Sequence, residues 1–422
     1  MRKVEKISNS KRDVRVAAPA SKAHTLRALI ISSLAEGESI IDNPLLGEDQ
    51  LNVVECLRKL GVEIDCEQDR ITVGGVAGRY EPAGDGLNVG ESGVGMNFLT
   101  SAACLSEKAV IISGAKRITE RPILEVVSGL RQLGCRIEYL KQEGFPPIRA
   151  FGGGIKGGTA EMRGGKTSQY FSSVTISAPY SEKPVTLRCT DDMTERPYFD
   201  ITLEMMADFG VEAVNNDYRE IVIPCDRKYR GRRITIEGDY SSASFFFLAA
   251  AICGTKITIS GLNPESRQGD KAFLALMEKM GCAVFVLEDG ICLEGSELGA
   301  IEEDMSDLPD LVPPMVIAAA FAQGTSRLTN IGHLRHKECD RLAVMASQLN
   351  KMGVAAECDE TSLAIRGGQK IHGGRIDPHN DHRIAMSFAV AGLRTGEQVI
   401  ENATCVAKSF PDFWERFAIF SD

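Results

Sequence analysis

The stretch Leu60-Gly61-Val62-Glu63-Ile64 carries the signal that decides the fold. It follows residues 49–60, whose apolar positions recur with the period of an amphipathic helix, and it leads into residues that alternate like a strand. A glycine at this point predicts a left-handed C-terminal cap, because a residue without a Cβ adopts that conformation at little cost. The stretch therefore predicts a helix that ends and turns directly into a strand.

The same helix–glycine–strand signal recurs along the chain at intervals of about 70 residues. The later copies read Gln132-Leu133-Gly134-Cys135, Asp208-Phe209-Gly210-Val211, Lys279-Met280-Gly281-Cys282 and Lys351-Met352-Gly353-Val354. A sixth copy closes at residues 399–402, and its last helix opens at 410–413. Repeats of this length are too long for a solenoid and predict α/β subdomains that group into globular domains.

We therefore predict an α/β fold of two globular domains, each of three repeated β/α subdomains, six copies in all, with a cleft between the domains. The C-terminal domain is predicted over residues 1–19, which include an N-terminal strand, and 239–422; the N-terminal domain is predicted over 20–238. In the first copy, we expect the first helix over 25–35 and its strand over 38–43. First helices such as Phe245-Phe246-Phe247-Leu248 are apolar all round, so we expect them to be buried.

Composition restricts the class of protein. The chain has 422 residues and a net charge of -10, which argues against nucleic acid as a main partner. No apolar run reaches the roughly 18 residues that span a membrane, and the N-terminus lacks the apolar core of a signal peptide. The twelve cysteines are scattered singly, which is typical of a reduced interior and not of a metal site. We expect a cytoplasmic protein that contacts neither membrane nor nucleic acid.

A dense group of ionisable residues lies at Leu334-Arg335-His336-Lys337-Glu338-Cys339-Asp340-Arg341-Leu342, between a predicted strand over 326–331 and a predicted helix that continues to 349. One interpretation is an anion site with a carboxylate for proton transfer at a helix start, with Leu334, Cys339 and Leu342 packing on the same helix. The other is a solvated helix N-terminus held by pairs of charges. The residues of this stretch leave both interpretations open.

The order of motifs along nearly the whole chain resembles the 5-enolpyruvylshikimate-3-phosphate synthase family. The resemblance rests on Ser21-Lys22 with Arg27, Glu120-Arg121-Pro122-Ile123, Ser168-Gln169, Arg196-Pro197-Tyr198-Phe199-Asp200-Ile201-Thr202-Leu203, Glu237-Gly238-Asp239-Tyr240-Ser241-Ser242-Ala243, Leu308-Pro309-Asp310, residues 335–341, Asn380-Asp381-His382-Arg383-Ile384-Ala385-Met386 and Ala407-Lys408-Ser409-Phe410-Pro411-Asp412. It implies two domains of three β/α subdomains each, in agreement with the repeat count.

The resemblance also implies a reaction. The family adds an acceptor hydroxyl to C2 of phosphoenolpyruvate, protonates C3 and expels phosphate from a tetrahedral intermediate. The residues implied for phosphoenolpyruvate are Lys22, Gly93, Arg121, Gln169, Arg341, Arg383 and Lys408. The implied proton carriers are Lys22, Asp310 and Glu338, with His382 as a helper. Because charge stabilisation and proton transfer suffice for this chemistry, no metal and no organic cofactor are expected.

For the acceptor, 3-phosphoshikimate, the implied residues are Lys22, Arg27, Thr167, Ser168, Gln169, Glu195, Tyr198, Asp310, His333 and Lys337. Here the chain departs from the family pattern: Ala23 and Leu26 replace a serine and an asparagine, Glu91 and Asn97 replace an asparagine and an arginine, Glu195 replaces a serine and His333 an asparagine. A carboxylate at position 195 is expected to weaken the binding of a dianionic phosphate unless a nearby cation neutralises it.

Alternative functions stay open at this point. The first is an enolpyruvyl transferase for a different, unphosphorylated, hydroxylated acceptor, and the second is a ligand-binding homologue without catalysis. The related transferase for UDP-N-acetylglucosamine is disfavoured because its Lys-Asn-Ala start and its loop cysteine are not found here. An RNA 3′-phosphate cyclase is disfavoured by the negative net charge. A monomer is expected, with two small-molecule substrates as its partners.

Overall fold

The computed structural model describes residues 1–7 and 13–420. In this part of the chain the α-helices, in chain order, are α1 (Lys22–Leu34), α2 (Glu48–Lys59), α3 (Gly93–Ala103), α4 (Lys116–Thr119), α5 (Leu124–Gln132), α6 (Gln169–Ser177), α7 (Arg196–Asp208), α8 (Tyr240–Cys253), α9 (Ala272–Lys279), α10 (Val312–Phe321), α11 (Arg341–Lys351), α12 (His382–Thr395) and α13 (Phe413–Phe417). Short 3-10 helices cover Ala178–Tyr180, Gly269–Lys271, Gly332–His336, Ala403–Lys408 and Ala418–Phe420.

The strands between these helices are short. In chain order they are β1 (Arg2–Val4), β2 (Asp13–Ala17), β3 (Glu36–Asp42), β4 (Glu63–Cys66), β5 (Arg70–Val76), β6 (Gly86–Asn88), β7 (Val110–Ser113), β8 (Ile137–Tyr139), β9 (Ile148–Ala150), β10 (Gly158–Met162), β11 (Val185–Cys189), β12 (Val214–Asn216), β13 (Glu220–Ile223), β14 (Arg233–Thr235), β15 (Lys256–Ser260), β16 (Ala283–Leu287), β17 (Gly290–Glu294), β18 (Glu302–Asp304), β19 (Thr325–Thr329), β20 (Ala355–Cys358), β21 (Leu363–Arg366), β22 (Arg375–Ile376) and β23 (Gln398–Ile400).

Over the described residues these strands form six small sheets, and the repeat is visible in their pairing. Five sheets have four strands, in the orders β14-β3-β5-β4, β6-β7-β9-β8, β10-β11-β13-β12, β18-β19-β21-β20 and β16-β17-β15-β2. The sixth has the order β1-β23-β22. In each sheet one pair is parallel and the rest are antiparallel, as in β10 with β11 and β11 with β13. The predicted α/β architecture of six repeated subdomains is confirmed.

The chain divides into two compact units. The inserted unit comprises Ala20–Ile236, and the terminal unit comprises Met1–Pro19 together with Glu237–Asp422. Each unit contains three of the sheets. Strand β14 closes the inserted unit because it pairs with β3 from the start of that unit, with Ile234 opposite Ile41. The domain boundaries predicted from the sequence were 19/20 and 238/239, and they remain a prediction.

The first helix of each repeat lies in the core of its unit, as its apolar sequence predicts. Every residue of α8 is buried, and α10 is buried from Val312 to Ala320. The glycines that follow the second helices adopt the predicted left-handed conformation, with φ of 93° at Gly61 and 86° at Gly353. The local signal therefore predicted where helices end in both units.

Helix starts differ from the predicted ones for a local reason. Helix α1 begins at Lys22 and not at residue 25, because the hydroxyl of Ser21 accepts the backbone N–H of His24 and caps the helix. The prediction that Leu334, Cys339 and Leu342 share one helix was wrong. Leu334 lies on the 3-10 helix Gly332–His336, and α11 starts only after Asp340, whose carboxylate accepts the N–H of Ala343.

A search of the helices found none in the described residues that has both the length and the apolar character needed to cross a membrane.

Candidate active site

Most of the predicted ionisable residues of the terminal unit lie at or near the start of a helix. Arg341 is the first residue of α11, and Arg383 lies in the first turn of α12, each just after an aspartate that caps the helix. Asp310 precedes α10, and Lys408 ends the 3-10 helix Ala403–Lys408. A helix N-terminus presents backbone N–H groups and a partial positive charge, so these starts favour an anion.

Arg341 lies at the centre of this group and is almost fully buried. Its Nε donates to Asp381 at 2.8 Å, its Nη1 to Asp310 at 3.1 Å and its Nη2 to Glu338 at 3.0 Å. Burial opposes the charged guanidinium, but the three carboxylates outweigh this effect and raise the pKa of Arg341 well above its ordinary value. Arg341 therefore stays positively charged, and its three hydrogen bonds hold the guanidinium in one orientation.

Asp381 connects two of the predicted residues. Its Oδ2 accepts the hydrogen bond from Arg341, while its Oδ1 accepts the backbone N–H of Arg383 at 2.9 Å. The carboxylate is completely buried. One side chain thus orients the guanidinium of Arg341 and starts the helix that carries Arg383. Sequence reasoning placed Asp381 in a motif but gave it no role; its position just before a helix start was the available signal.

Two more cations complete this group, which we call the Arg341 cluster: Asp310, Glu338, Arg341, Asp381, Arg383 and Lys408. The Nη2 of Arg383 lies 2.6 Å from Oδ2 of Asp310, and Nζ of Lys408 lies 3.5 Å from Oε1 of Glu338. Arg383 and Lys408 are both buried. Asp310 and Glu338 therefore each contact two cations, one through each oxygen.

The carboxyl groups in and beside the cluster differ in acidity. Burial acts to raise the pKa of Asp310, but the charges of Arg383, Arg341 and Lys337 outweigh it and lower the pKa to about 2. Asp270, on the 3-10 helix Gly269–Lys271, shows the opposite behaviour. Burial and the charge of Asp310 raise the pKa of Asp270 to about 7. Sequence reasoning did not identify Asp270, because it lies outside the motifs that carry the family resemblance.

The remaining predicted residues of the terminal unit are also buried. His382 is the first residue of α12, His333 lies on the 3-10 helix Gly332–His336, and Lys337 directly follows that helix. The positive charge of Lys337 contributes to the low pKa of Asp310. The structure therefore brings Asp310, Glu338, Lys337, Arg341, Arg383 and Lys408 into one region of the terminal unit.

In the inserted unit, Lys22 forms a buried ion pair. Its Nζ lies 2.6 Å from Oδ2 of Asp49, which is in the first turn of α2. The neighbouring Gln50 donates to the backbone carbonyl of Lys22 at 3.3 Å. Asp49 was not among the predicted residues, and the acidic first turn of a helix gave no sign that it would meet a lysine 27 positions earlier in the chain.

Arg27 is held by the protein itself. Its Nε donates to the hydroxyl of Thr202 at 2.7 Å, and its Nη1 and Nη2 donate to the carbonyls of Ala23 and Tyr198 at 3.0 and 2.7 Å. Burial lowers the pKa of Arg27 to about 10. These bonds join α1 to α7 and place Tyr198, another predicted residue, next to Arg27.

Gly93 and Arg121 are in close approach. A Cβ at Gly93 would lie 2.5 Å from three atoms of the Arg121 guanidinium. The missing side chain at position 93 therefore makes room for Arg121. Gly93 is the first residue of α3, where Ser92 caps the helix through the N–H of Gly95.

The residues before α6 and α7 surround a buried carboxylate. The hydroxyl of Thr167 donates to Oε2 of Glu195 at 2.5 Å, and the hydroxyl of Ser168 donates to the Glu195 carbonyl at 2.9 Å. Glu195 is buried and has a left-handed backbone with φ of 59°. This conformation is uncommon for a residue other than glycine. The departure from the family pattern at position 195 thus lies within the group predicted for the acceptor.

Gln169, the first residue of α6, pairs with a side chain of α3. Its Oε1 accepts a hydrogen bond from Nδ2 of Asn97 at 3.0 Å, and its backbone N–H donates to the Thr167 hydroxyl at 3.3 Å. Among the predicted residues of the inserted unit, the structure therefore groups Thr167, Ser168, Gln169 and Glu195.

Comparisons with known proteins agree with this picture. The family model described as EPSP synthase (3-phosphoshikimate 1-carboxyvinyltransferase) matches residues 4–417. A 3-phosphoshikimate 1-carboxyvinyltransferase of Methanoregula boonei is 42% identical over 405 residues, which cover 96% of each chain. One of Vibrio cholerae is 37% identical over 407 residues, again 96% of each chain. A solved EPSP synthase from Acinetobacter baumannii superimposes with a TM-score of 0.82 at 27% identity, over 98% of this chain and 96% of that one. The chain belongs to the EPSP synthase family.

Proposed function

We propose that this protein transfers the enolpyruvyl group of phosphoenolpyruvate to the 5-hydroxyl of 3-phosphoshikimate, giving 5-enolpyruvylshikimate 3-phosphate and phosphate. The observation that carries the proposal is the Arg341 cluster, in which three buried cations meet three carboxylates, two of which each touch two cations. Family membership over residues 4–417 supports it.

Phosphoenolpyruvate carries a phosphate and a carboxylate, and both suit the planar donors of Arg341 and Arg383. Lys408 adds a third positive charge. Asp310 and Glu338 hold these cations in fixed positions. Such preorganised charges stabilise the negative charge of a transition state without reorganisation. The resemblance to the family also assigns phosphoenolpyruvate binding to four residues of the inserted unit: Lys22, Gly93, Arg121 and Gln169.

The reaction needs a base for the acceptor hydroxyl and an acid for C3. Asp310 is proposed, from the resemblance to the family, to accept the hydroxyl proton; its pKa of about 2 keeps it ionised at neutral pH but makes it a weak base. Glu338 and Lys22, with His382 as a helper, are proposed to carry the proton to and from C3. The proton gained by C3 is lost again when phosphate leaves, so the transfer balances without an oxidant or a metal.

The acceptor is proposed to bind Arg27, Thr167, Ser168, Gln169, Tyr198, His333 and Lys337. Glu195 supports a second candidate function, transfer to an unphosphorylated hydroxylated acceptor. Its buried carboxylate accepts a hydrogen bond from the Thr167 hydroxyl, which would otherwise be available to donate to an acceptor phosphate. A phosphate placed there meets a negative charge and loses a donor.

A phosphate-release assay with phosphoenolpyruvate separates these functions. Release that requires 3-phosphoshikimate supports the first proposal. Release with shikimate, while 3-phosphoshikimate stays inert, supports the second. No release with either acceptor, together with measurable phosphoenolpyruvate binding, identifies a ligand-binding homologue without catalysis. A variant at an exposed arginine of the terminal unit, Arg375→Ala, serves as the control for unspecific effects.

We further propose that the protein acts as a monomer in the cytoplasm. A reaction between two small molecules needs no membrane or nucleic-acid partner, and the twelve cysteines form no disulfide in the described part of the chain. Light scattering at the concentrations used for the assay tests whether the protein is a monomer, for which a mass near 45.8 kDa is expected. A mass of twice that value contradicts it.

A further inference from the structure

Asn97 occupies a position directly behind Gln169. It lies on α3 and is 5% exposed, and its Nδ2 donates to the side-chain Oε1 of Gln169 on α6. The two helices are also tied beside this pair, because the Ser173 hydroxyl donates to the Asn97 carbonyl and lies 2.6 Å from the Ser101 hydroxyl. The Ser173 hydroxyl therefore holds the backbone of Asn97 in place beside Gln169.

We propose that Asn97 is a positioning residue that fixes the side-chain amide of Gln169 so that its Nε2 donates to the substrates. The inference rests on the proposed function, in which Gln169 contacts both phosphoenolpyruvate and the acceptor. Asn97 stands where the family pattern has an arginine, so this arrangement is a property of this chain's own residues.

The physical reason is the symmetry of a carboxamide. The terminal torsion of glutamine is broad and nearly two-fold, so the oxygen and nitrogen exchange places at little cost. The oxygen only accepts hydrogen bonds, and the nitrogen only donates them. With Oε1 engaged by Asn97, the polar group left for a ligand is Nε2 with its hydrogens. In the reversed orientation the carbonyl oxygen would face phosphate and carboxylate oxygens and repel them.

A second observation supports a role beyond packing. Oδ1 of Asn97 is buried and has no hydrogen-bond partner among the described residues. An unsatisfied buried acceptor destabilises a protein, and an apolar side chain of similar size avoids that penalty. Leucine at position 97 would remove the unsatisfied oxygen but also the donor to Gln169, so the Nδ2 donor is what asparagine adds.

The test is a double-mutant cycle with Asn97→Leu, Gln169→Leu and both together. We expect each single variant to lower kcat/KM about tenfold, mainly through higher KM for both substrates. The double variant should fall no further than Gln169→Leu alone, within about twofold, because Asn97 acts through Gln169. The Tm of Asn97→Leu should equal or exceed that of the unaltered chain. Effects that multiply in the double variant overturn the inference.

A second comparison separates positioning from shape. Asn97→Asp keeps the shape of asparagine but offers only acceptors, so the Gln169 amide should reverse and turn its oxygen toward the ligand. We expect this variant to be less active than Asn97→Leu when both are assayed well below their Tm. If Asn97→Asp is the more active of the two, shape and not orientation matters. Thr100→Val is the matched control, because Thr100 lies buried on the same helix and its hydroxyl donates to the Met96 carbonyl, away from Gln169.

The inference and the proposed function fail in different ways. If the unaltered chain releases phosphate but the cycle shows independent effects, only the role of Asn97 is lost. If the unaltered chain releases none, the same cycle is measured on phosphoenolpyruvate binding by calorimetry, where the same coupling is expected in Kd. A chain that neither turns over nor binds phosphoenolpyruvate contradicts both.

Discussion

Asp381 binds Arg341 with one carboxylate oxygen, at 2.8 Å from Nε, and caps helix α12 with the other. This single buried side chain therefore determines the orientation of one proposed substrate-binding arginine and the start of the helix that carries the second, Arg383. Both arginines depend on it, although Arg341 is 40 positions away in the chain.

We expect Asp381→Ala to destabilise the protein by about 3–5 kcal/mol, because it leaves the buried charge of Arg341 with fewer partners. The matched control is Asp340→Ala, which removes the cap of α11 but breaks only a partly exposed pair with Arg335. That variant should lose about 1 kcal/mol. Urea unfolding of both variants measures the difference, and equal losses would show that capping alone explains the role of Asp381.

Arg341→Ala and Lys22→Ala should each abolish turnover, with kcat/KM lower by at least about a thousandfold. Each change removes a buried cation that the proposed phosphoenolpyruvate site requires. Arg341→Lys should also be inactive, because an ammonium cannot reproduce the three separate donations of the guanidinium. Steady-state kinetics and a Tm for each variant separate lost chemistry from lost folding. Near-normal rates in either alanine variant contradict the proposed function.

Glu195→Ser should strengthen the binding of a phosphorylated acceptor. The change removes a buried negative charge and leaves the Thr167 hydroxyl able to donate elsewhere. We expect KM for 3-phosphoshikimate to fall about tenfold relative to KM for shikimate. The ratio of the two KM values is the measurement. An unchanged ratio would remove Glu195 as a determinant of acceptor choice.

Gly93→Ala should raise KM for phosphoenolpyruvate about tenfold while changing KM for the acceptor less. The new methyl group would collide with the Arg121 guanidinium, which is the flexible end of its side chain and so would move away. Gly84→Ala is the control, since a Cβ there meets no atom within 4 Å. A crystal structure of the Gly93 variant in which Arg121 has not moved would refute this explanation.

Asp270 should make stability depend on pH. Buried near Asp310 and Asp239, with Arg383 as the opposing charge, its carboxyl has a pKa of about 7 in the folded protein against 3.8 in its ordinary state. Between these values the folded state binds more protons than the unfolded chain. This contribution to stability is therefore complete below about pH 3.8 and is lost as the pH rises through about 7.

In the unaltered chain, Asp270 should make the free energy of unfolding fall by up to about 1.4 kcal/mol per pH unit in this window. We expect this fall to be absent in Asp270→Asn. Urea unfolding at pH 5, 6 and 7 measures the slope. The exposed Asp289→Asn should leave the slope as it is in the unaltered chain. A slope that persists in Asp270→Asn assigns the pH dependence to another group.

Much of the fold could be predicted because its signals are local. The glycine after each second helix, the apolar first helices and the spacing of about 70 residues depend on neighbouring residues, and φ at Gly61 and Gly353 confirms the predicted caps. The positions of helix starts were predicted less well. At Ser21 a side chain that accepts a backbone N–H moved the start of α1 to Lys22.

The candidate site was only partly accessible from the sequence. Motifs predicted Arg341, Glu338 and Lys22 as site residues but not their partners. Asp49 and Asp381 were missed as partners, and nothing in the sequence indicated that Arg121 lies against Gly93. The sequence shows which residues are charged, but it does not show which group each charged residue contacts.

The sequence by itself determined the repeated α/β architecture, the family and the kinds of charge available, because hydrophobic period, glycine position and residue type act over a few neighbouring residues. Only the tertiary structure decided that Arg341 meets Asp381 across 40 positions of the chain and that Asn97 meets Gln169 across 72. The packing of buried helices sets those pairs, since it brings side chains from distant elements within hydrogen-bonding distance, and no local pattern encodes that distance.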